Sequence, residues 1–168
     1  MESKIIYFIR HSKSDWDTPF SHDKERALSE RGLEAAKSLS KFIKLNKINA
    51  EFVYVSDAKR TDLTFSILNK DSRFTKKFIN TEKLYESSID DYIEFIHNTD
   101  DKIHKIGFVG HNPEMEMVVN FLLGQNDKSI FAKFATSSLV ALKFDVSSWK
   151  EIPFQKGKLS LFYIPPRE

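Results

Sequence analysis

Two arginines and two histidines stand where strand ends and a helix start would present them to a common edge. The run from Ile5 to Ile9 is apolar, β-branched or aromatic throughout, and it ends in Arg10-His11. Such a run is too short for a helix and suits a strand buried on both faces. Arg10 and His11 then reach the carboxyl edge of a sheet, where open α/β folds bind ligands. Ile106-Gly107-Phe108-Val109 ends in Gly110-His111-Asn112-Pro113 and does the same for His111. Arg60 falls in the first turn of a helix that follows a further strand, Phe52 to Val55. An arginine is unfavourable against the positive end of a helix dipole unless an anion shares the site.

Each feature alone has a plainer explanation. Arg10-His11 can be a polar strand end, and Arg60 can pair with Asp57 or point into water. Together they describe an anion pocket. Guanidinium groups neutralise the oxygens of a phosphoryl group, and a neutral imidazole can attack phosphorus and carry it covalently. Histidine's ordinary pKa of about 6.5 permits this at neutral pH. The arginines supply the charge that magnesium supplies elsewhere, so neither metal nor cofactor is expected.

These groups need a scaffold. Ser29 suits the N-cap of a first helix, with Leu28 packing on Leu33 and a buried stripe of Ala35, Ala36, Leu39, Phe42 and Ile43. Ser56-Asp57 is expected to cap a second helix from Ala58 to Leu68, and Phe78-Ile79 is a short strand candidate. Ser88 and Asp91 form a capping box for a third helix buried through Ile89, Tyr92, Ile93 and Ile96. Asn112 suits the N-cap and Pro113 the first position of a fourth, buried through Met115, Val118, Val119 and Leu122 and ended by Gly124. Leu139 to Phe144 and Leu159 to Ile164 read as two closing strands with no helix between them, one antiparallel. Lys13 to Ala27, with Trp16, Pro19 and Phe20, is a long loop of the kind that is functional or mobile. This alternation predicts one α/β domain over residues 1–168.

Composition narrows the class. The chain has 168 residues, 15 Phe and only five Gly and five Pro, so it can bury enough surface to fold. A net charge of +2 does not favour nucleic-acid binding. There is no cysteine, which excludes thiolate chemistry and fits a reducing cytoplasm. No leader precedes the first strand and no run is long enough to span a bilayer, so a soluble protein with no membrane partner is expected.

Arg10-His11-Ser12-Lys13-Ser14, Ser56-Asp57-Ala58-Lys59-Arg60-Thr61 and Gly110-His111-Asn112-Pro113 resemble the three signature segments of the histidine phosphatase superfamily. The short length and Arg26-Ala27-Leu28-Ser29-Glu30-Arg31-Gly32 resemble its compact branch, the SixA-type phosphohistidine phosphatases. The resemblance implies a phosphoglycerate mutase-like fold, a three-layer α/β/α sandwich whose mostly parallel sheet has an antiparallel edge strand. It implies His11 as nucleophile, with Arg10, Arg60 and His111 completing the phosphate pocket. Leu84-Tyr85-Glu86 matches the Leu-x-Glu setting of the acid in ester-cleaving relatives, which makes Glu86 a candidate general acid. A solvated Glu ahead of a helix is the alternative. Ser12 replaces the usual Gly or Ala, and Asp17 stands where mutase-type members place Asn. A carboxylate there would repel phosphate, so that contact is not carried over.

With no large insertion to form a lid, hydrolysis is favoured over mutase chemistry. The substrate expected is phosphohistidine in a protein, with small phosphate esters, or binding without catalysis, as alternatives. His22, His97 and His104 have no metal-ligand spacing. Lys13, Lys24, Arg26 and Lys59 form either a basic rim or a solvated face, and residues 126–137, with Phe131 and Phe134, either line the pocket or cover the core.

Overall fold

The computed structural model describes residues 2–124 and 134–166. Among them, six strands form one sheet: β1 (Lys4–Arg10), β2 (Phe52–Ser56), β3 (Phe78–Thr81), β4 (Lys105–Gly110), β5 (Leu139–Phe144) and β6 (Lys158–Tyr163). Their spatial order is β3-β2-β4-β1-β5-β6. The first four pair in parallel, and β5 joins β1 and β6 through antiparallel ladders at one side. Four helices cover the two faces: α1 (Glu30–Leu45), α2 (Lys59–Ser72), α3 (Ile89–His97) and α4 (Glu114–Leu122).

Alternation along each strand divides the core in two. On β1, Ile6 and Phe8 join Phe108 and the α3 and α4 residues Tyr92, Ile96, Met115 and Val119. Tyr7 and Ile9 join Val53, Val55 and the α1 and α2 residues Leu39, Ile43, Phe65 and Leu68. The result is the three-layer α/β/α sandwich that the resemblance implied. Because α1 and α4 leave β1 and β4 toward opposite faces, a crevice opens at the carboxyl ends of those two neighbouring strands.

The expected caps hold in two helices. Ser29 Oγ accepts from the Gly32 N–H at 3.0 Å, and Ser88 with Asp91 makes the full capping box. Two helix starts differ from the sequence expectation. α2 begins at Lys59 with no side-chain cap, because the N-cap position falls on Ala58; the Ser56 hydroxyl lies two residues earlier, bonded to His111 and accepting from the Ala58 N–H. α4 begins at Glu114 rather than Pro113, and Asn112 Oδ1 still accepts from the Glu116 N–H at 3.2 Å.

The segment from Lys13 to Leu28 is tied down at its base. Ser14 bridges Leu28, the Asp15 N–H donates to the Ala27 carbonyl at 2.8 Å, and the Ser29 N–H donates to the Lys13 carbonyl at 2.9 Å. This closes the segment into a compact loop, in which a 3-10 turn (Asp23–Glu25) reaches toward α2. The closure requires a glycine at position 32. A Cβ there would lie 2.1 Å from the Lys13 carbonyl oxygen, whereas one at Gly124 would meet nothing nearer than 3.9 Å among the described residues. Gly32→Ala should therefore lose about 1–3 kcal/mol in urea unfolding, as overpacked sites do. Gly124→Ala, the control, should change stability far less.

Candidate active site

Register brings the two histidines together. Arg10 stands opposite Gly110 in the β1–β4 ladder, so His11 and His111 each follow the last residue of adjacent strands. The His11 N–H continues the ladder to the Gly110 carbonyl at 3.1 Å, and the two imidazole centroids are 5.2 Å apart.

His11 is buried, and its Nδ1 lies 2.6 Å from the Ser12 carbonyl oxygen. A carbonyl only accepts, so Nδ1 carries the ring proton and the lone pair of Nε2 is free. Burial lowers the His11 pKa to about 4; the Ser12 carbonyl opposes the shift, while Arg60, Arg10 and Arg26 add to it. Ser12 is itself fixed, its N–H donating to Thr64 Oγ1 at 2.9 Å and its hydroxyl hydrogen-bonded to Ser137. The Ser137 N–H is shared between the carbonyls of Arg10 and His11. Ser137 adopts φ 60°, a left-handed conformation that costs energy for a residue with a Cβ.

His111 is held by a 2.8 Å hydrogen bond between Nε2 and Ser56 Oγ. Burial, the neighbouring His11 and the Arg60 guanidinium push its pKa down to about 3. Arg10 donates through Nη1 to the Phe134 carbonyl at 2.9 Å. Arg60 donates through Nη1 to the Asp23 carbonyl and through Nη2 to Asp23 Oδ2, each at 2.9 Å. Three buried nitrogens then have no hydrogen-bond partner among the described residues: Nε of Arg10, Nε of Arg60 and Nδ1 of His111. Buried polar atoms are ordinarily satisfied, and orphans on cationic or titratable groups around one imidazole mark the place of an anionic ligand.

All four pocket residues named from sequence are therefore gathered at one edge. Glu86 is not among them. It is exposed, in a left-handed conformation (φ 53°), and lies one residue beyond Tyr85. The Tyr85 ring meets His111 edge-on at 5.5 Å, and its hydroxyl donates to Asp23 Oδ2 at 2.7 Å. Sequence reasoning passed over Tyr85, Asp23, Ser56 and Ser137. Asp23 carried one local signal, its position three residues before Arg26.

The basic rim is corrected. Arg26 is buried, donating to Asp23 and Ser14, and Lys24 pairs with Asp57 at 2.8 Å. Arg60 is paired as the plainer explanation held, but with Asp23 instead of Asp57. His22 and His104 are exposed, and His97 Nε2 is hydrogen-bonded to the Ile152 carbonyl. Phe134 covers the core with its side chain while its carbonyl serves Arg10 and Asn112. Phe131 lies outside the described residues.

The family model of the histidine phosphatase superfamily (branch 1) matches residues 6–106. The chain belongs to the histidine phosphatase superfamily. By family it is a phosphatase, and its fold is SixA-like and phosphoglycerate mutase-like. It is similar to a structure from Nakamurella multipartitia described as a candidate phosphohistidine phosphatase SixA, at 17% identity and a TM-score of 0.86, covering 98% of each chain. The protein histidine phosphatase SixA complexed with tungstate matches at 17% identity and a TM-score of 0.78, covering 94% of this chain and 95% of that one. A mycobacterial glucosyl-3-phosphoglycerate phosphatase matches at 13% identity and a TM-score of 0.66, covering 95% and 98%. At these identities the likeness is one of fold. No curated protein sequence matches the chain.

Both histidines have pKa values below that of an unfolded histidine, so the unfolded chain binds more protons once the pH falls below about 6.5. Stability should therefore fall as the pH drops from about 6.5 toward 4. Urea unfolding across that range checks this, and His111→Asn should flatten part of the slope. An unchanged slope in that variant would mean that the ring is already protonated in the folded protein.

Proposed function

We propose that the protein is a metal-independent phosphatase that removes phosphate from phosphohistidine in proteins, through a covalent intermediate on His11. The observation that carries this is the pinned His11 tautomer: Nδ1–H is held by the Ser12 carbonyl, and Nε2 is left free at an edge where three buried nitrogens have no partner among the described residues. A low pKa keeps that nitrogen unprotonated well into the acid range, as a nucleophile requires.

Arg10, Arg60 and His111 hold the phosphoryl oxygens. A bound phosphate raises the proton affinity of His111, so the ring can donate to an oxygen that gains charge in the transition state. His11 Nε2 gives its lone pair to phosphorus as the bond from phosphorus to the substrate's imidazole nitrogen breaks. A phosphoimidazole protonated on its other nitrogen leaves as neutral imidazole and needs no acid from the site. Water then attacks phosphorus, the bond to His11 breaks, Nε2 regains its electron pair, and a proton passes to solvent with release of phosphate.

Several features favour a phosphorylated protein as substrate. The Lys13–Leu28 loop is pinned at its base and meets the pocket through Asp23, which holds it in place beside Arg60. Trp16 and Phe20 on that loop are exposed and in edge contact at 6.0 Å, a surface that suits a protein partner. No described helix is long and apolar enough to cross a membrane, and the cysteine-free chain suits the cytoplasm. Phosphate esters make a different demand. An alkoxide leaving group needs a proton, and Glu86, the residue after Tyr85, would have to supply it.

Turnover of a phosphohistidine peptide and of p-nitrophenyl phosphate, both in EDTA, tests the proposal. The peptide should be cleaved faster, His11→Ala should lose about 10³-fold or more of the rate, and Glu86→Gln should change peptide cleavage less than threefold. Faster ester cleavage that collapses in Glu86→Gln would instead establish a small-molecule phosphatase.

A further inference from the structure

Asp23 places an ionised carboxylate at the lip of an anion pocket, where its charge opposes that of a phosphoryl group. Partial burial works against its ionisation, but hydrogen bonds from Arg26, Tyr85 and Arg60 outweigh that and hold its pKa well below the usual carboxylate range. Two roles are open to a carboxylate so placed. As a rival anion it would occupy Arg60 until phosphate displaced it. As a strut it would stay in place and set the geometry of Arg60.

The contacts favour the strut. Oδ1 accepts from Arg26 Nη2 at 2.8 Å and Nε at 3.3 Å, and Oδ2 accepts from Arg60 Nη2 at 2.9 Å and the Tyr85 hydroxyl at 2.7 Å. The backbone is anchored as well, since the Asp23 carbonyl takes Arg60 Nη1 at 2.9 Å. Arg26 could not spare this partner. It is buried, its Nη1 donates to Ser14 Oγ, and its guanidinium lies 3.6 Å from the Trp16 ring centroid. Withdrawing Asp23 would leave Arg26 as a buried cation without its carboxylate, which is strongly unfavourable. Arg60 is thus gripped at both Nη atoms by one residue, while its Nε stays without a partner among the described residues.

We infer that Asp23 is a positioning residue: braced by Arg26 and Tyr85, it fixes the Arg60 fork so that Nε and the remaining Nη hydrogens are left for the phosphate. This rests on Arg60 as a phosphate ligand, the role given to it under Proposed function. It also gives the loop between β1 and α1 a place in the site, because Asp23 and Arg26 both belong to it. The loop is bound to the catalytic edge through charge, and Tyr85 joins the segment after β3 to the same carboxylate.

Calorimetric titration with inorganic phosphate tests the inference, alongside kcat and KM for whichever substrate is turned over. Asp23→Ala should weaken phosphate binding by about tenfold or more, as expected when a charge-assisted contact loses its geometry. Asp23→Asn, which keeps the shape but not the charge, should lose affinity in the same direction and serves if the alanine variant does not fold. In an Arg60→Ala background, Asp23→Ala should cost less than twofold further in kcat/KM, because the strut then has nothing to hold. A purely structural role would instead give losses that multiply in the double variant. Tighter phosphate binding in Asp23→Ala would establish the rival anion, and unchanged binding or multiplying losses would equally overturn the inference. Wild-type protein that binds phosphate but cleaves neither substrate counts against the hydrolase and not against Asp23, since the titration reads the pocket directly.

Discussion

The parallel pairing of β1 with β4 is the constraint on which the site depends. Each strand is buried on both faces and ends in a histidine, and with Arg10 opposite Gly110 the two rings become neighbours. Strand side chains alternate, so a slip of one residue would send the core residues of β1 to the wrong layers and turn His11 away from His111. The two-layer core prevents that slip, because Ile6 and Phe8 fit the α3–α4 side while Tyr7 and Ile9 fit the α1–α2 side. Gly110 permits the closest packing at this point, since a Cβ there would lie 2.6 Å from the Tyr92 hydroxyl oxygen. The geometry of the candidate site and the packing of the core are thus set by the same register.

Charge is arranged around that pair with unusual economy. Arg10 and Arg60 concentrate positive charge in a region that also excludes water, so both histidines are held neutral. For the nucleophile proposed at His11 this is an advantage, since protonation would remove the lone pair that attack on phosphorus requires. The same conditions strengthen attraction for a phosphoryl group, whose charge meets guanidiniums through little intervening solvent. Attraction for an anion and the neutral state of the proposed nucleophile thus come from one electrostatic arrangement.

The loop after β1 adds a second layer of support. Its base is stitched to α1 through the Lys13 carbonyl, which accepts from both the backbone and the hydroxyl of Ser29. From that base Asp23, braced by Arg26, reaches the first turn of α2, where Arg60 would otherwise be a long, flexible side chain facing a helix N-terminus. An arginine fork is useful to a phosphate in proportion to how well it is preorganised. The Trp16 ring packed on Arg26 extends the same network to the exposed surface beside the pocket.

The elements and the four pocket residues were legible in the sequence because local signals govern them. A five-residue apolar run ending in Arg10-His11, a capping box at Ser88 and Asp91, and a helix start at Arg60 follow from period, propensity and dipole. Two such runs ending in cationic or titratable groups, and a third followed by a helix that carries Arg60 in its first turn, imply one sheet edge, since parallel strands share their carboxyl ends. The roles of Asp23, Tyr85, Ser56 and Ser137 had no such signal. Their partners stand 37, 62, 55 and 125 residues away in the chain, and each contact exists only once the layers have packed. The sequence alone determined which groups lie at the edge and what chemistry they suit. Tertiary structure decided which atoms of those groups are held and which are left free, because hydrogen bonds across distant segments have no periodicity to betray them.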